Sequence, residues 1–125
     1  MQTLKEQTDA KIEMGRKANP TFMKGIDDII AKAKAFEEGS KAIDIGQKAI
    51  NFVLPNHEGK LISLAELLEK CPVVLTFYRG SWCPYCNLQL KALQSRLAEI
   101  HALGAQLIAI SPQVPDGSLS KNEID

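Results

Sequence analysis

The spacing of apolar residues is helical over the first third of the chain, turns strand-like near residue 49, and then alternates between the two periods. Thr3 to Lys17 is polar with sparse apolar positions at Leu4, Ile12 and Met14, which predicts a weakly amphipathic helix. Asn19-Pro20 supplies an N-cap and a proline at the first helical position. Phe22, Ile26, Ile29, Ile30, Ala33 and Phe36 then recur at helical spacing until Gly39-Ser40. This stripe is expected to pack on the core or on a second subunit, with a lid as the alternative.

From Ala49 the pattern predicts a β-hairpin. Ala49, Ile50, Phe52, Val53 and Leu54 are strand-like, Pro55-Asn-His-Glu-Gly59 is turn chemistry, and Lys60-Leu-Ile resumes a short strand. Ser63 is placed to cap a short helix through Leu68, with Glu66 at the capping-box position, and Cys71-Pro72 stops it. Pro72 to Tyr78 is a continuous apolar run that predicts a strand buried on both faces. A helix is expected from about Cys83 to Ala102, with Leu88, Leu90, Leu93, Leu97 and Ile100 as its buried stripe and Gly104 closing it. Ala105 to Ile110 reads as a second buried strand, so strand, helix and strand form a βαβ unit with parallel strands. Ser111 to Ser118 reads as loop, and Leu119 to Asp125 as the start of a further helix.

Composition narrows the function classes. A chain of 125 residues, 45% hydrophobic and 24% charged, suits one domain with a core. Lys plus Arg (15) equals Asp plus Glu (15), so no net field favours nucleic acid or an anionic membrane. No apolar run approaches the roughly 20 residues of a membrane helix. Residues 1 to 10 carry early acidic charge and no apolar h-region, so neither a secretory signal nor a transit peptide is expected, and a cytoplasmic location follows. Three cysteines in such a chain argue for catalysis or metal binding rather than a disulfide framework.

Two of them form Cys83-Pro-Tyr-Cys86, where a strand turns into a helix. A cysteine at a helix N-terminus faces unsatisfied backbone N–H groups, which lower a thiol pKa of about 8.5 toward roughly 3.5 to 7.5. Cys86 lies within disulfide reach on the same helix face, so the pair can store two electrons and pass them on by exchange. Arg79, just upstream, is a candidate cation for a thiolate or an attacked peroxide oxygen, or else a solvated loop arginine. Trp82 and Tyr85 flank the sulfurs and are candidate pocket walls, with core or partner packing as the alternative. A zinc site would need a second ligand pair, and Cys71, His57 and His101 are singletons without ligand spacing, so no metal is expected.

Gly46 to Asn56, Gly59 to Leu64 and Val73 to Cys86 resemble the alkyl hydroperoxide reductase and thiol-specific antioxidant family in its peroxiredoxin-like branch, over about residues 42 to 120. The resemblance implies an α/β, thioredoxin-like fold and a thiol-dependent peroxidase that reduces hydrogen peroxide or organic hydroperoxides without a cofactor. A thioredoxin-like dithiol would recycle the enzyme. The family places Pro, then Thr four residues on, then the peroxidatic Cys three further on. Counted without gaps, Arg79 stands at the Pro position, Cys83 at the Thr position and Cys86 at the peroxidatic position. Thioredoxins and glutaredoxins attack with the first cysteine instead, and Cys-Pro-Tyr-Cys is the glutaredoxin sequence, so the two analogies name different nucleophiles. Helix-end electrostatics favours Cys83.

The resulting expectation is an N-terminal helical extension, residues 1–39, followed by a thioredoxin-like domain, residues 40–125, that lacks its C-terminal half. An unpaired sheet edge and an uncovered face would then favour a homodimer or leave little peroxidase activity. Two alternatives remain open at this level: a thiol-disulfide oxidoreductase without a peroxide step, and a non-catalytic remnant acting in assembly.

Overall fold

A computed structural model describes residues 1–37 and 39–114, so the predicted helix start at Leu119 to Asp125 lies outside the described residues. The chain divides into two compact units, Met1–Ile50 and Asn51–Asp125.

The first unit is a helical hairpin, α1 (Leu4–Ala18) and α2 (Pro20–Ala35). Thr3 closes a capping box: its Oγ1 accepts from the Glu6 N–H at 3.2 Å, and Glu6 Oε2 accepts from the Thr3 N–H at 2.8 Å. At the second start, Asn19 Oδ1 accepts from the Phe22 N–H at 3.0 Å, with Pro20 opening the helix. The two helices meet where Met23, the buried residue of α2, lies against Gly15. A Cβ on Gly15 would come within 3.1 Å of the Met23 sulfur, so glycine permits the approach. Arg16 donates to both Asp27 carboxylate oxygens, at 2.9 and 3.2 Å. Among the described residues the predicted apolar stripe is mostly exposed: Phe22, Ile29, Ile30 and Phe36 are exposed, and Ile26 and Ala33 are half-buried. Helix α2 also ends at Ala35, before the glycine expected to stop it.

The second unit opens with the antiparallel pair β1 (Val53–Pro55) and β2 (Leu61–Ser63), in the register Val53↔Ser63, Leu54↔Ile62, Pro55↔Leu61. Asn56 builds the connecting turn, its Oδ1 accepting from the N–H groups of Glu58 (3.0 Å) and Lys60 (2.9 Å). The ladder therefore starts later than Ala49 and includes Pro55. Ser63 caps α3 (Leu64–Leu68) as its position predicts, and Leu64 is buried.

The part that carries the site is the parallel pair β3 (Val73–Phe77) and β4 (Gln106–Ile110), joined through α4 (Pro84–Gln94) and α5 (Leu97–Ala102). Val73 pairs with Gln106 and Phe77 with Ile110, so both strands end at one edge of the sheet. Gln89 on α4 donates to Thr76 Oγ1 on β3 at 3.3 Å, tying helix to strand.

Two expectations need correction here. The helix predicted from Cys83 to Ala102 is interrupted: Ser95 Oγ donates to the Ala92 carbonyl at 2.7 Å and the Arg96 N–H to the Leu93 carbonyl at 3.0 Å, so Arg96 leaves helical geometry and caps a second helix. Strand β3 is not buried on both faces, because Val74 is 39% and Phe77 68% exposed. The two residues are an odd number of positions apart and so lie on opposite faces of β3: Val74 shares the face of Thr76, which α4 contacts only in part, and Phe77 lies on the other face at the strand's end. Leu88, Leu90, Leu93, Leu97 and Ile100 are likewise half-buried rather than buried.

Candidate active site at the end of β3

Strand β3 delivers Tyr78 and Arg79 to the sheet edge, Tyr78 still bonded through its N–H to the Ile110 carbonyl at 2.9 Å. The chain then reverses in a turn closed by the Cys83 N–H donating to the Gly80 carbonyl at 3.1 Å. Cys83 is the N-cap of α4, with extended backbone (φ −88°, ψ 110°), and Pro84 takes the first helical position, where no donor is lost. Tyr85 and Cys86 follow in the first turn, both half-buried. Cys83 itself is 0% exposed. All three cysteines are free thiols.

Arg79 serves both sulfurs. Its Nη2 donates to Cys83 Sγ at 3.1 Å, and its backbone N–H donates to Cys86 Sγ at 3.5 Å. The guanidinium also lies over the Trp82 ring, 5.2 Å from the centroid, so it is held between an aromatic face and a sulfur. Trp82 is 66% exposed and borders the site on its outer side.

These placements decide the electrostatics of Cys83. Burial pushes the thiol up, since it penalises the ionised form. The Cys86 thiol and backbone N–H, followed by the Arg79 guanidinium, favour the thiolate and outweigh burial, leaving Cys83 at about 7, below the ordinary thiol value. No formal cap hydrogen bond reaches the Cys83 side chain, so this effect comes from polar hydrogens gathered around the sulfur rather than from one capping contact. In return the Cys83 and Cys86 sulfurs raise the Arg79 pKa, keeping the guanidinium charged.

The sequence-predicted residues Arg79, Trp82, Cys83 and Cys86 are thus brought together, and Tyr85 sits beside them on the helix. Cys71 belongs elsewhere: its Sγ faces the Leu67 carbonyl at 3.7 Å, at the end of α3. His57 lies in the β1–β2 turn near Glu58. Sequence reading missed two residues, Gln113 and Asn87, which bind the turn between Arg79 and Cys83. Ser81 N–H donates to Gln113 Oε1 at 2.8 Å, and Asn87 Nδ2 donates to the Ser81 carbonyl at 2.8 Å. The available signal was topological. Parallel strands finish at the same edge, so the loop after β4 necessarily neighbours the loop after β3.

A family model described as the AhpC/TSA family matches residues 45–123, a span that contains the whole site. The chain belongs to the AhpC/TSA family. Membership implies a thioredoxin-like fold, to which the parallel β3–β4 pair and its connecting helices conform. Among similar proteins, the thiol-disulfide oxidoreductase ResA of Halalkalibacterium halodurans is 35% identical over 71 residues, 57% of this chain and 39% of that protein. The "Putative peroxiredoxin bcp" of Helicobacter pylori strain 26695 is 39% identical over 70 residues, 56% of this chain and 45% of that protein. ResA of Bacillus subtilis is 32% identical over 73 residues, 58% of this chain and 40% of that protein. The chain therefore spans less than half the length of these curated relatives. No solved structure gives a significant match. The family is one of thiol oxidoreductases, and its relatives carry both peroxiredoxin and disulfide-exchange names. Among the described residues, no helix is long and apolar enough to cross a membrane.

Proposed function

We propose that this AhpC/TSA chain is a thiol-dependent peroxidase in which Cys83 attacks the peroxide and Cys86 resolves the product. The observation that carries the reading is Arg79 Nη2 donating at 3.1 Å to the buried sulfur of Cys83, the N-cap residue of α4. A guanidinium there stabilises the thiolate before attack and the departing oxygen during it.

In the first step the Cys83 thiolate attacks one peroxide oxygen: the S–O bond forms, the O–O bond breaks, and the departing alkoxide or hydroxide takes up the proton that the thiol released to solvent on ionising. The sulfur is oxidised to sulfenic acid and the peroxide reduced to an alcohol or water. Cys86 then attacks the Cys83 sulfur, and the sulfenic oxygen leaves as water. An external dithiol reduces the resulting disulfide by exchange, returning two electrons. The reductant we assign is a thioredoxin-like dithiol and the location cytoplasmic. Exposed Phe77 at the end of β3 suits pairing of two copies of the chain.

A second reading is disulfide exchange without a peroxide step, favoured by the ResA similarity and by the placement of Cys83 as the first cysteine of a helix-capping pair. Peroxide-dependent consumption of reductant by wild type, Cys83→Ser and Cys86→Ser separates the two. The peroxidase reading expects turnover in the wild type and loss of the fast peroxide step in Cys83→Ser alone. Efficient disulfide reduction with no peroxide consumption would replace it by the second reading.

A further inference from the structure

The three residues that separate Arg79 from Cys83 form a turn whose polar groups are held from two directions. Gln113, just past the end of β4, accepts the Ser81 N–H at 2.8 Å, while Asn87, on the first turns of α4, donates to the Ser81 carbonyl at 2.8 Å. The same peptide segment is packed as well as bonded. Gly80 is buried, and a Cβ there would fall 2.4 Å from Trp82 Nε1 and 2.9 Å from Gln113 Oε1. Gln113 is itself fixed, its backbone N–H donating to Ser111 Oγ at 3.1 Å, and it is half-buried.

A turn of this length has several conformations of similar energy, and each would aim Arg79 and Cys83 differently. Fixing both polar groups of Ser81 selects one. We infer that Gln113, with Asn87 as its counterpart, is a positioning residue: by clamping the Ser81 peptide it sets the Arg79–Cys83 contact, and hence the reactivity of the Cys83 sulfur. Gln113 acts from the loop that follows β4, the strand neighbouring β3, so docking of β4 becomes a condition for a competent site. Neither amide touches a reacting atom. Their effect passes through the turn.

The inference rests on Cys83 being the reactive thiol, but its test needs no peroxide. Site-resolved alkylation with iodoacetamide across pH reads the ionisation midpoint of Cys83, and amide hydrogen exchange reads the Ser81 N–H. Gln113→Leu removes the acceptor with little change of volume. The expected result is loss of Ser81 protection and a Cys83 midpoint higher by about one unit, about tenfold less thiolate at pH 6, with β3 and β4 amides still protected. Gln113→Glu restores an acceptor oxygen at the same reach and should restore Ser81 protection. A folded Gln113→Leu chain with the wild-type midpoint would overturn the inference. If that variant loses protection in β3 and β4, Asn87→Ala releases the Ser81 carbonyl instead, and a wild-type midpoint there would be equally fatal. Absence of peroxide turnover in the wild type would refute the peroxidase reading and leave this result intact.

Discussion

Arg79 reaches the Cys83 sulfur with its side chain at 3.1 Å and the Cys86 sulfur with its own backbone N–H at 3.5 Å, so a single residue addresses both members of the dithiol. The two contacts differ in kind. The backbone donor survives any substitution except proline, whereas the charged one depends on the guanidinium. Arg79→Met should therefore raise the Cys83 midpoint by about one unit and slow alkylation at pH 6 about tenfold, while Cys86 loses its interaction with the guanidinium but keeps the backbone N–H. Arg79→Lys should fall between, because it keeps charge but loses the planar group that lies over Trp82. Site-resolved alkylation measures both.

The wild-type pH dependence follows from the direction of the Cys83 shift. With the thiol at about 7, the reactive thiolate dominates above that pH and falls about tenfold for each unit below it. The rate of sulfenic acid formation under excess peroxide, followed by stopped flow from pH 5 to 9, should rise to a plateau with its midpoint near 7. A midpoint in the ordinary thiol range would show that the contacts around Cys83 do not favour its ionised form.

Stability should carry the same signature. Cys83 is an acid whose ordinary value of 9.0 is lowered to about 7 in the folded chain. Its ionised form therefore stabilises the fold fully above pH 9, and this contribution is lost as the pH falls through about 7. Denaturant unfolding of the reduced chain should give greater stability near pH 9 than near pH 6, relative to Cys83→Ser measured in parallel.

Gly80 offers a structural test of the turn. The methyl group in Gly80→Ala would collide with Trp82 Nε1 and Cδ1, at 2.4 and 2.8 Å. Trp82 is largely exposed and is free to swing outward, which would end its stacking on Arg79. We expect a loss of about 1 to 3 kcal/mol in stability and a shift in tryptophan emission. Trp82 is the chain's single tryptophan, so the emission change reports this turn alone.

Much of this arrangement was legible in the sequence because it is local. Asn19-Pro20, Ser63 and the Asn56 turn act over a few residues, and the apolar runs at Val73 and Gln106 name the two strands directly. Cys83 at the start of a helix followed from the strand, turn and proline around it. What escaped was non-local or competitive. The bond between Ser81 and Gln113 joins residues that only the parallel pairing brings together. The break at Ser95 and Arg96 comes from a hydroxyl competing with the backbone inside an otherwise helical pattern. The exposure of Phe77 reflects how many layers cover the sheet, a property that an apolar run in one strand does not encode. The role of Arg79 was ambiguous for a similar reason, since only geometry distinguishes a solvated loop cation from one aimed at a sulfur.

The most direct test of the central claim is intact mass with thiol counting after one equivalent of hydrogen peroxide. It should be run on the reduced wild type, Cys83→Ser and Cys86→Ser. The wild type should lose two of its three thiols and the mass of two hydrogens, with both lost thiols mapped to Cys83 and Cys86. Cys86→Ser should gain one oxygen on Cys83, and Cys83→Ser should remain reduced over the same interval. Rapid oxidation of Cys83→Ser at Cys86, or an unreacted wild type, would contradict the account.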